Sequence, residues 1–300
     1  MTVRKRINRQ KRIDWIWGYG MILPLLAGLG VFYFYPVFRV FRDSLYNVGA
    51  FNRSSWAGLG NFSRMFQDST MWRSLGNTMM YAVIIIPLTV VFALILAALL
   101  NTNIRGRDVF RVIYFIPTVT MSAAISMVWR WIFNGDFGIL NHLVKALGGT
   151  PQYWLSSEST VLLCISIVSV WMGVGYNMII LLAGIQGISS TYYEAAELEG
   201  AGKIQQFLKI TIPLVTPTLF FVVITTVIST LQIFDVIYMM IPTKSIAMSY
   251  AQSVVMYFYR NAFEYSAKGY ASAIAVLLFL IIMLLTLFQM RFQKKWVHYD

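Results

Sequence analysis

The sequence predicts an all-α membrane protein with six transmembrane helices and both termini in the cytoplasm. Three observations predict it. The first is apolar content. Of 300 residues, 58% are hydrophobic and 12% charged, with a mean hydropathy of +0.65, whereas soluble domains carry about 25% charged residues. The second is run length, since six apolar stretches approach the ~20 residues that a helix needs to cross a bilayer. The third is where charge falls. A net charge of +12 would suggest nucleic acid for a soluble chain. Here the basic residues cluster beside apolar runs, as the positive-inside bias of membrane proteins requires, so no nucleic-acid partner is expected.

Taken in order, Met1–Asp14 is a basic cytoplasmic tail with Arg4, Lys5, Arg6, Arg9, Lys11 and Arg12. The apolar run after it is long and has no small-residue cleavage site, so it reads as a retained span and not a removed signal peptide. Span 1 covers roughly 18–38, with Trp15 and Trp17 at the membrane interface. Residues 39–74 form the longest polar connection, placed outside. Span 2 covers 77–100 and contains Pro87. The short basic loop with Arg105 and Arg107, followed by Arg111, is cytoplasmic. Span 3 covers 112–133, 135–159 lies outside, and span 4 covers 160–182. Span 5 covers 214–238, 241–268 lies outside, and span 6 covers 270–290. Arg291, Lys294 and Lys295 close the chain in the cytoplasm. The segments assigned to the cytoplasm hold more than half of the 24 Lys and Arg, a modest bias. The whole chain, 1–300, reads as one transmembrane domain.

The loop between spans 4 and 5, residues 187–213, is organised. Thr191 can cap a helix and Glu194, three residues on, can reach back to it as in a capping box. Gly200 and Gly202 interrupt the helix. Lys203–Ile210 reads as a second short helix with an apolar face of Ile204, Phe207, Leu208 and Ile210. Pro213 suits the first turn of the next helix. Glu194-Ala195-Ala196, then Gly200, Ile210 and Pro213, resembles the EAA loop of the inner-membrane permeases of ABC importers. The family pattern is matched except that Ile212 replaces Leu.

Polar residues inside spans are costly and face other helices or a water-filled path. Thr118, Ser122, Ser126, Arg130 and Asn134 are spaced by four, predicting one polar side of span 3. Thr225, Ser229, Gln232 and Asp235 form a stripe on span 5, and Ser166, Ser169, Gly173, Tyr176 and Asn177 one on span 4, beside Trp171. Three such helices can surround a cavity suited to a sugar. Its ring faces stack on aromatics and its hydroxyls pair with amides. The candidate pathway residues are Ser126, Trp171, Tyr176, Asn177, Ser229, Gln232, Asp235 and Tyr238. The same residue types also join membrane helices with no ligand present. Asp235 fits an outer gate, a pair with Arg130, or solvation at the interface. Arg130, between Trp129 and Trp131, fits interface anchoring.

The resemblance covers nearly the whole chain and points to the sugar-type branch. It includes Gly58-Leu59-Gly60-Asn61-Phe62, Asn77-Thr78, Arg105-Gly106-Arg107, Phe115-Ile116-Pro117, and Trp131 with Gly138 and Asn141. It continues in Leu182–Gln186, Phe234–Tyr238 and Gly269–Ala273. Two departures stand out: Ile188-Ser189 replaces the usual Ile-Pro, and Met239-Met240-Ile241-Pro242 replaces Thr-x-Gly-Gly-Pro.

The resemblance implies a type I ABC importer permease fold in a bacterial or archaeal cytoplasmic membrane, passing a carbohydrate. It implies a second permease subunit as a heterodimeric partner, two copies of a cytoplasmic ATPase and an extracytoplasmic solute-binding protein. Glu194, Ala195, Ala196, Gly200, Ile210 and Pro213 would form the coupling loop to the ATPase. ATP-Mg would be used by that ATPase, with no cofactor on this chain. Gly202-Lys203 is followed by Ile204 and so is no phosphate-binding loop. His142 and His298 are far apart and lack cysteine partners, so no metal site is expected. No His, Asp and Glu cluster at catalytic spacing suggests an enzyme. A stand-alone secondary transporter or channel is the alternative, with mid-span carboxylates as its expected mark. Within the importer class, a glycerol-phosphate-type solute is the alternative.

Overall fold

A computed structural model describes residues 9–48, 54–102 and 104–296. Most of the basic tail, and the side chains of Lys294 and Lys295, lie outside the described residues. In chain order the helices are α1 (Arg9–Leu29), α2 (Tyr35–Ser44), α3 (Gly60–Gln67), α4 (Ser69–Leu100), α5 (Arg107–Val119), α6 (Ser122–Ile132), α7 (Ile139–Ala146) and α8 (Glu158–Gln186). They continue with α9 (Ser190–Leu198), α10 (Lys203–Gln206), α11 (Ile212–Leu214), α12 (Thr216–Leu231), α13 (Asp235–Met240), α14 (Ile246–Ala251), α15 (Val254–Tyr259) and α16 (Lys268–Trp296). Wider π-helical turns occupy Gly30–Phe34, Phe207–Thr211 and Arg260–Glu264. Among the described residues four helical runs are long and apolar enough to cross a membrane, and up to six spans result if each of two bent pairs counts as one.

The chain divides into two compact units, one holding the residues up to Met65 with Asn261–Val276, the other Phe66–Arg260 with Leu277 onward. In the first unit, α1, a π turn and α2 run on as one apolar rod over Ile13–Ser44, longer at both ends than span 1 of the sequence reading. A short antiparallel hairpin follows, β1 (Tyr46–Val48) and β2 (Ser54–Trp56), with Tyr46 opposite Trp56. Asn61 holds it: the side-chain amide donates to Ser44 O and Tyr46 O at 2.9 and 3.0 Å. Gly269 passes so close to Tyr46 O that a Cβ there would lie well inside van der Waals contact. Two of the motifs that carried the resemblance therefore brace one hairpin.

In the second unit α8 is the central element. More than half of its apolar window is buried, against 28% for α4, and it packs along α4, α5, α12 and α14. Val161, Ile165, Val168 and Leu181 form the core with Ala93, Ala97 and Val222 from its neighbours. The lone cysteine, Cys164, is buried in this core. Small residues let backbones approach, as bilayer helices need. A Cβ on Gly175 would strike Tyr114 O, and one on Gly184 would come within 2.5 Å of Thr218 Oγ1.

One expectation is corrected here. Span 3 is not a single helix. α5 ends at Val119, Thr120 and Met121 are extended, and α6 leaves at 99°. Pro117, which donates no backbone hydrogen bond, sits in the last turn of α5. The stripe Thr118–Asn134 therefore does not run along one helix side. Residues 241–268, placed outside by the sequence, carry two short helices, and much of the segment is packed into the bundle. Ala247, Met248, Ala251, Val254 and Met256 are buried, with α14 against α8 and α4, and α15 against α4. The break between α14 and α15 is held by polar groups of α4. Asn77 Nδ2 donates to Gln252 O (3.0 Å), Tyr81 OH to Ala251 O (2.8 Å), and Thr78 Oγ1 accepts from Val254 N (3.0 Å). Without such partners the unwound backbone would leave orphaned groups in an apolar setting.

Candidate functional site

Two sites lie along the second unit. α8 spans 29 residues, about 43 Å at 1.5 Å per residue. The organised loop, α9 to α11, follows its C-terminal end. A cavity opens midway along it.

In the loop, the helix cap is Ser189, not Thr191. Ser189 Oγ accepts from Thr191 N at 3.4 Å. Glu194, Ala195 and Ala196 lie on α9, with Glu194 and Ala195 exposed. α9 ends in a Schellman motif: Ala201 N donates to Ala196 O (2.9 Å) and Gly200 N to Glu197 O (3.0 Å). The motif places its fifth residue in the left-handed region, and Gly200 has φ +80°. The four-residue step from Ala196 to Gly200 is therefore the step from helix carbonyl to left-handed cap.

Lys203 forms an ion pair with Glu197 across this elbow. Its ammonium, with Gln206 also donating, holds the Glu197 carboxyl below the usual glutamate range. Gln206 Nε2 donates to Ala201 O (3.0 Å), and Tyr193 OH and Thr211 Oγ1 are hydrogen-bonded at 2.9 Å. The second helix is shorter than expected. After Gln206 the chain widens into a π turn, Phe207–Thr211, which carries Ile210, and Pro213 opens the next short helix. Leu198 (92% exposed), Ile204 (78%) and Leu208 (55%) are apolar and open. Together with the acidic Glu194 and Glu199, they form the outer surface of the loop.

The cavity, about 310 Å³, is bounded by α4, α6, α8, α12 and α13, and small-molecule sites span ~300–1,000 Å³. Of the candidate pathway residues, Asn177, Ser229, Gln232 and Asp235 line it. The stripe on span 5 is not one helix face. α12 stops at Leu231, Gln232–Phe234 is unwound, and α13 starts at Asp235. The break turns Gln232 and Asp235 into the opening, where both are exposed.

The other four candidates lie elsewhere. Ser126 is fully buried and its hydroxyl has no partner among the described residues. Trp171 is half exposed and meets Trp129 edge-on at 5.7 Å. Tyr176 is half exposed on α8. Tyr238 stacks on Phe234 at 5.3 Å behind the cavity wall. Asp235 makes no ion pair with Arg130 among the described residues.

Three lining threonines escaped sequence reasoning, Thr89, Thr226 and Thr230. The hydroxyls of Thr89 and Thr226 are buried and have no partner among the described residues. Thr89 sits in a long apolar run two residues after Pro87, and that proline was the one available signal. Among the described residues no lysine or arginine lines the cavity.

Other motif residues prove structural. Asn141 donates to Gly135 O and Gln152 O at 2.6 and 2.9 Å and accepts from Trp154 Nε1 at 2.8 Å. It pins the connection from α6 to α8.

Residues 89–298 match the family described as "Binding-protein-dependent transport system inner membrane component". The probable ABC transporter permease protein YesP of Bacillus subtilis (strain 168) is 33% identical, over 98% of this chain and 95% of that protein. The lactose transport system permease protein LacF of Rhizobium radiobacter is 32% identical, over 96% of each. The trehalose/maltose transport system permease protein MalF of Thermococcus litoralis is 31% identical, over 90% of this chain and 91% of that one. Among solved structures, a bacterial ABC transporter involved in the import of the acidic polysaccharide alginate aligns with a TM-score of 0.84 at 20% identity, over 95% of this chain and 98% of that one.

Proposed function

The chain belongs to the family of binding-protein-dependent transport system inner membrane components, permeases of ATP-driven importers with the type I fold, and on that footing we propose that the carbohydrate it transports passes through the cavity at Gln232–Asp235. That cavity carries the reading. It offers amides and a hydroxyl from Asn177, Gln232 and Ser229, the one carboxylate of Asp235, and no cation among the described residues. Such a lining suits the hydroxyls of a neutral sugar and leaves the charge of a glycerol phosphate unmatched. The relatives named for lactose and for trehalose/maltose support the same class.

In this reading both termini and the α9–α11 loop face the cytoplasm. The loop docks on an ATPase, with Leu198, Ile204 and Leu208 as its apolar contact and Glu194 as a polar one. Glu194, Ala195, Ala196, Gly200, Ile210 and Pro213 are its coupling residues. Two copies of the ATPase consume ATP-Mg, a second permease completes the pathway, and a solute-binding protein delivers the sugar at the opposite end. ATP binding favours the state open at that far end, and the chain alternates between the two states.

The test is a pull-down of the chain from detergent-solubilised native membrane, with mass spectrometry of what accompanies it. Recovery of an ATPase, a second permease and a binding protein is expected, and titration of that binding protein with lactose, trehalose and sn-glycerol 3-phosphate then names the class. Recovery of the chain alone refutes the reading. Preference for the glycerol phosphate refutes the neutral-sugar assignment.

A further inference from the structure

We infer that Ser253, with Gln252 beside it, is a positioning residue that latches the cavity wall to the end of the bundle remote from the coupling loop. The inference rests on the functional reading above. The C-terminal end of α4 (Ile95–Leu99) meets the coupling loop, lining a second cavity with Tyr193 and Ile204. The N-terminal half of α4 therefore points to the opposite end, and Ile85 and Thr89, just past its midpoint, line the sugar cavity. Between that cavity and the far end lies the break between α14 and α15.

Ser253 is fully buried. Its hydroxyl donates to Ile233 O at 2.7 Å and accepts from Met256 N at 3.1 Å. Ile233 is the middle residue of the unwound cavity wall, so its carbonyl lacks a regular helical partner. On the other side, Gln252 is bonded into α4. Its amide donates to Ser74 Oγ (2.9 Å), its carbonyl accepts from Asn77, and its Oε1 accepts from Arg260 (2.9 Å). Tyr81 adds a bond to Ala251 O.

One end of this chain of bonds is the outer half of α4 and the other is the backbone that aims Gln232 and Asp235 into the cavity. A movement of α4 that opens the far end is passed to the Ile233 carbonyl of the wall through Ser253, beside the packing of α4 on α12. The latch thus ties the wall to the far end; we take the arrangement it holds, in which Ala251, Gln252 and Ser253 are all buried, as the far-closed one, so that opening lengthens or breaks the Ser253–Ile233 bond. Loosening it shifts the two-state balance toward the far-open, ATP-consuming state by about fivefold, the change that one net hydrogen bond makes.

The experiment uses the chain co-purified with its ATPase and second permease in lipid nanodiscs, measuring MgATP hydrolysis with no solute and no binding protein. Ser253→Ala is expected to raise this basal rate about fivefold with unchanged subunit ratios, and Ser253→Thr, which keeps the hydroxyl, to stay near wild type. A purely structural role would lower hydrolysis or assembly, not raise it. A wild-type rate in Ser253→Ala, or an equal rise in Ser253→Thr, overturns the latch. If Ser253→Ala does not assemble, Tyr81→Phe removes one far-end bond and is read in the same way, a wild-type rate again overturning the proposal. Absence of any ATPase with the wild-type chain refutes the functional reading itself, a result separable from all of these.

Discussion

Replacing Gly200 isolates what the elbow of the coupling loop requires. A Cβ at this position would meet nothing within 4 Å, so a side chain costs no steric clash. The cost is backbone alone, because φ is +80° and the left-handed region costs a non-glycine residue about 1–2 kcal/mol. Gly200→Ala should thus open the elbow about 5–30-fold more often. Gly200→Asn should open it less, since asparagine tolerates that region. Gly200→Pro should abolish the elbow, because proline fixes φ near −65° and removes the N–H that donates to Glu197 O. The assay is amide hydrogen exchange, read by mass spectrometry on peptides covering 196–206 of the purified protein. Exchange should rank wild type, Asn, Ala, Pro from slowest to fastest. Ala exchanging at the wild-type rate would show that the elbow does not depend on a left-handed residue, and the Schellman argument would fail.

Three further outcomes follow from the same geometry. Gly175→Ala drives a methyl into Tyr114 O and should destabilise by about 1–3 kcal/mol, read as a lower melting temperature on fluorescence-detected size exclusion, with Gly202→Ala, which meets open space, as the control. Gln232→Ala should weaken sugar uptake while leaving the amount of co-purified ATPase unchanged, and unaltered uptake kinetics would remove Gln232 from the pathway. The depressed Glu197 carboxyl sets a pH dependence: its contribution to the elbow is complete above the ordinary glutamate value of about 4.3 and lost as pH falls through the lower folded value. After correction for intrinsic rates, exchange at 197–206 should be flat from neutral pH down to that range and rise below it, and Lys203→Gln should remove the step.

The sequence marked the long helices because a bilayer demands long apolar runs, and α4, α8 and α16 each extend an expected span by a few residues. It marked the elbow because left-handed backbone wants glycine at a fixed step from Ala196. It did not reveal the breaks. Thr118 to Asn134 keeps its spacing of four straight through the bend at Thr120, since periodicity records residue types and not whether the backbone between them stays helical. The break at Gln232–Phe234 has neither proline nor glycine and exists because Ser253, twenty residues away, satisfies Ile233 O. The packing of α14 and α15 into the bundle was hidden for a related reason. Each apolar run there is six residues long, too short to signal a span, and its polar partners sit about 175 positions earlier on α4. Thr89, deep in an apolar run, gave no stripe at all.

The single thiol of the chain, Cys164, is sealed in the interior of α8. The protein as it stands is therefore nearly blank to maleimides. Any cysteine introduced at the mouth of the cavity or on the coupling loop becomes the one address a spin label or fluorophore can find, and a pair of such reporters can record the distance between the two ends of the bundle through an ATP cycle without rebuilding the native sequence first.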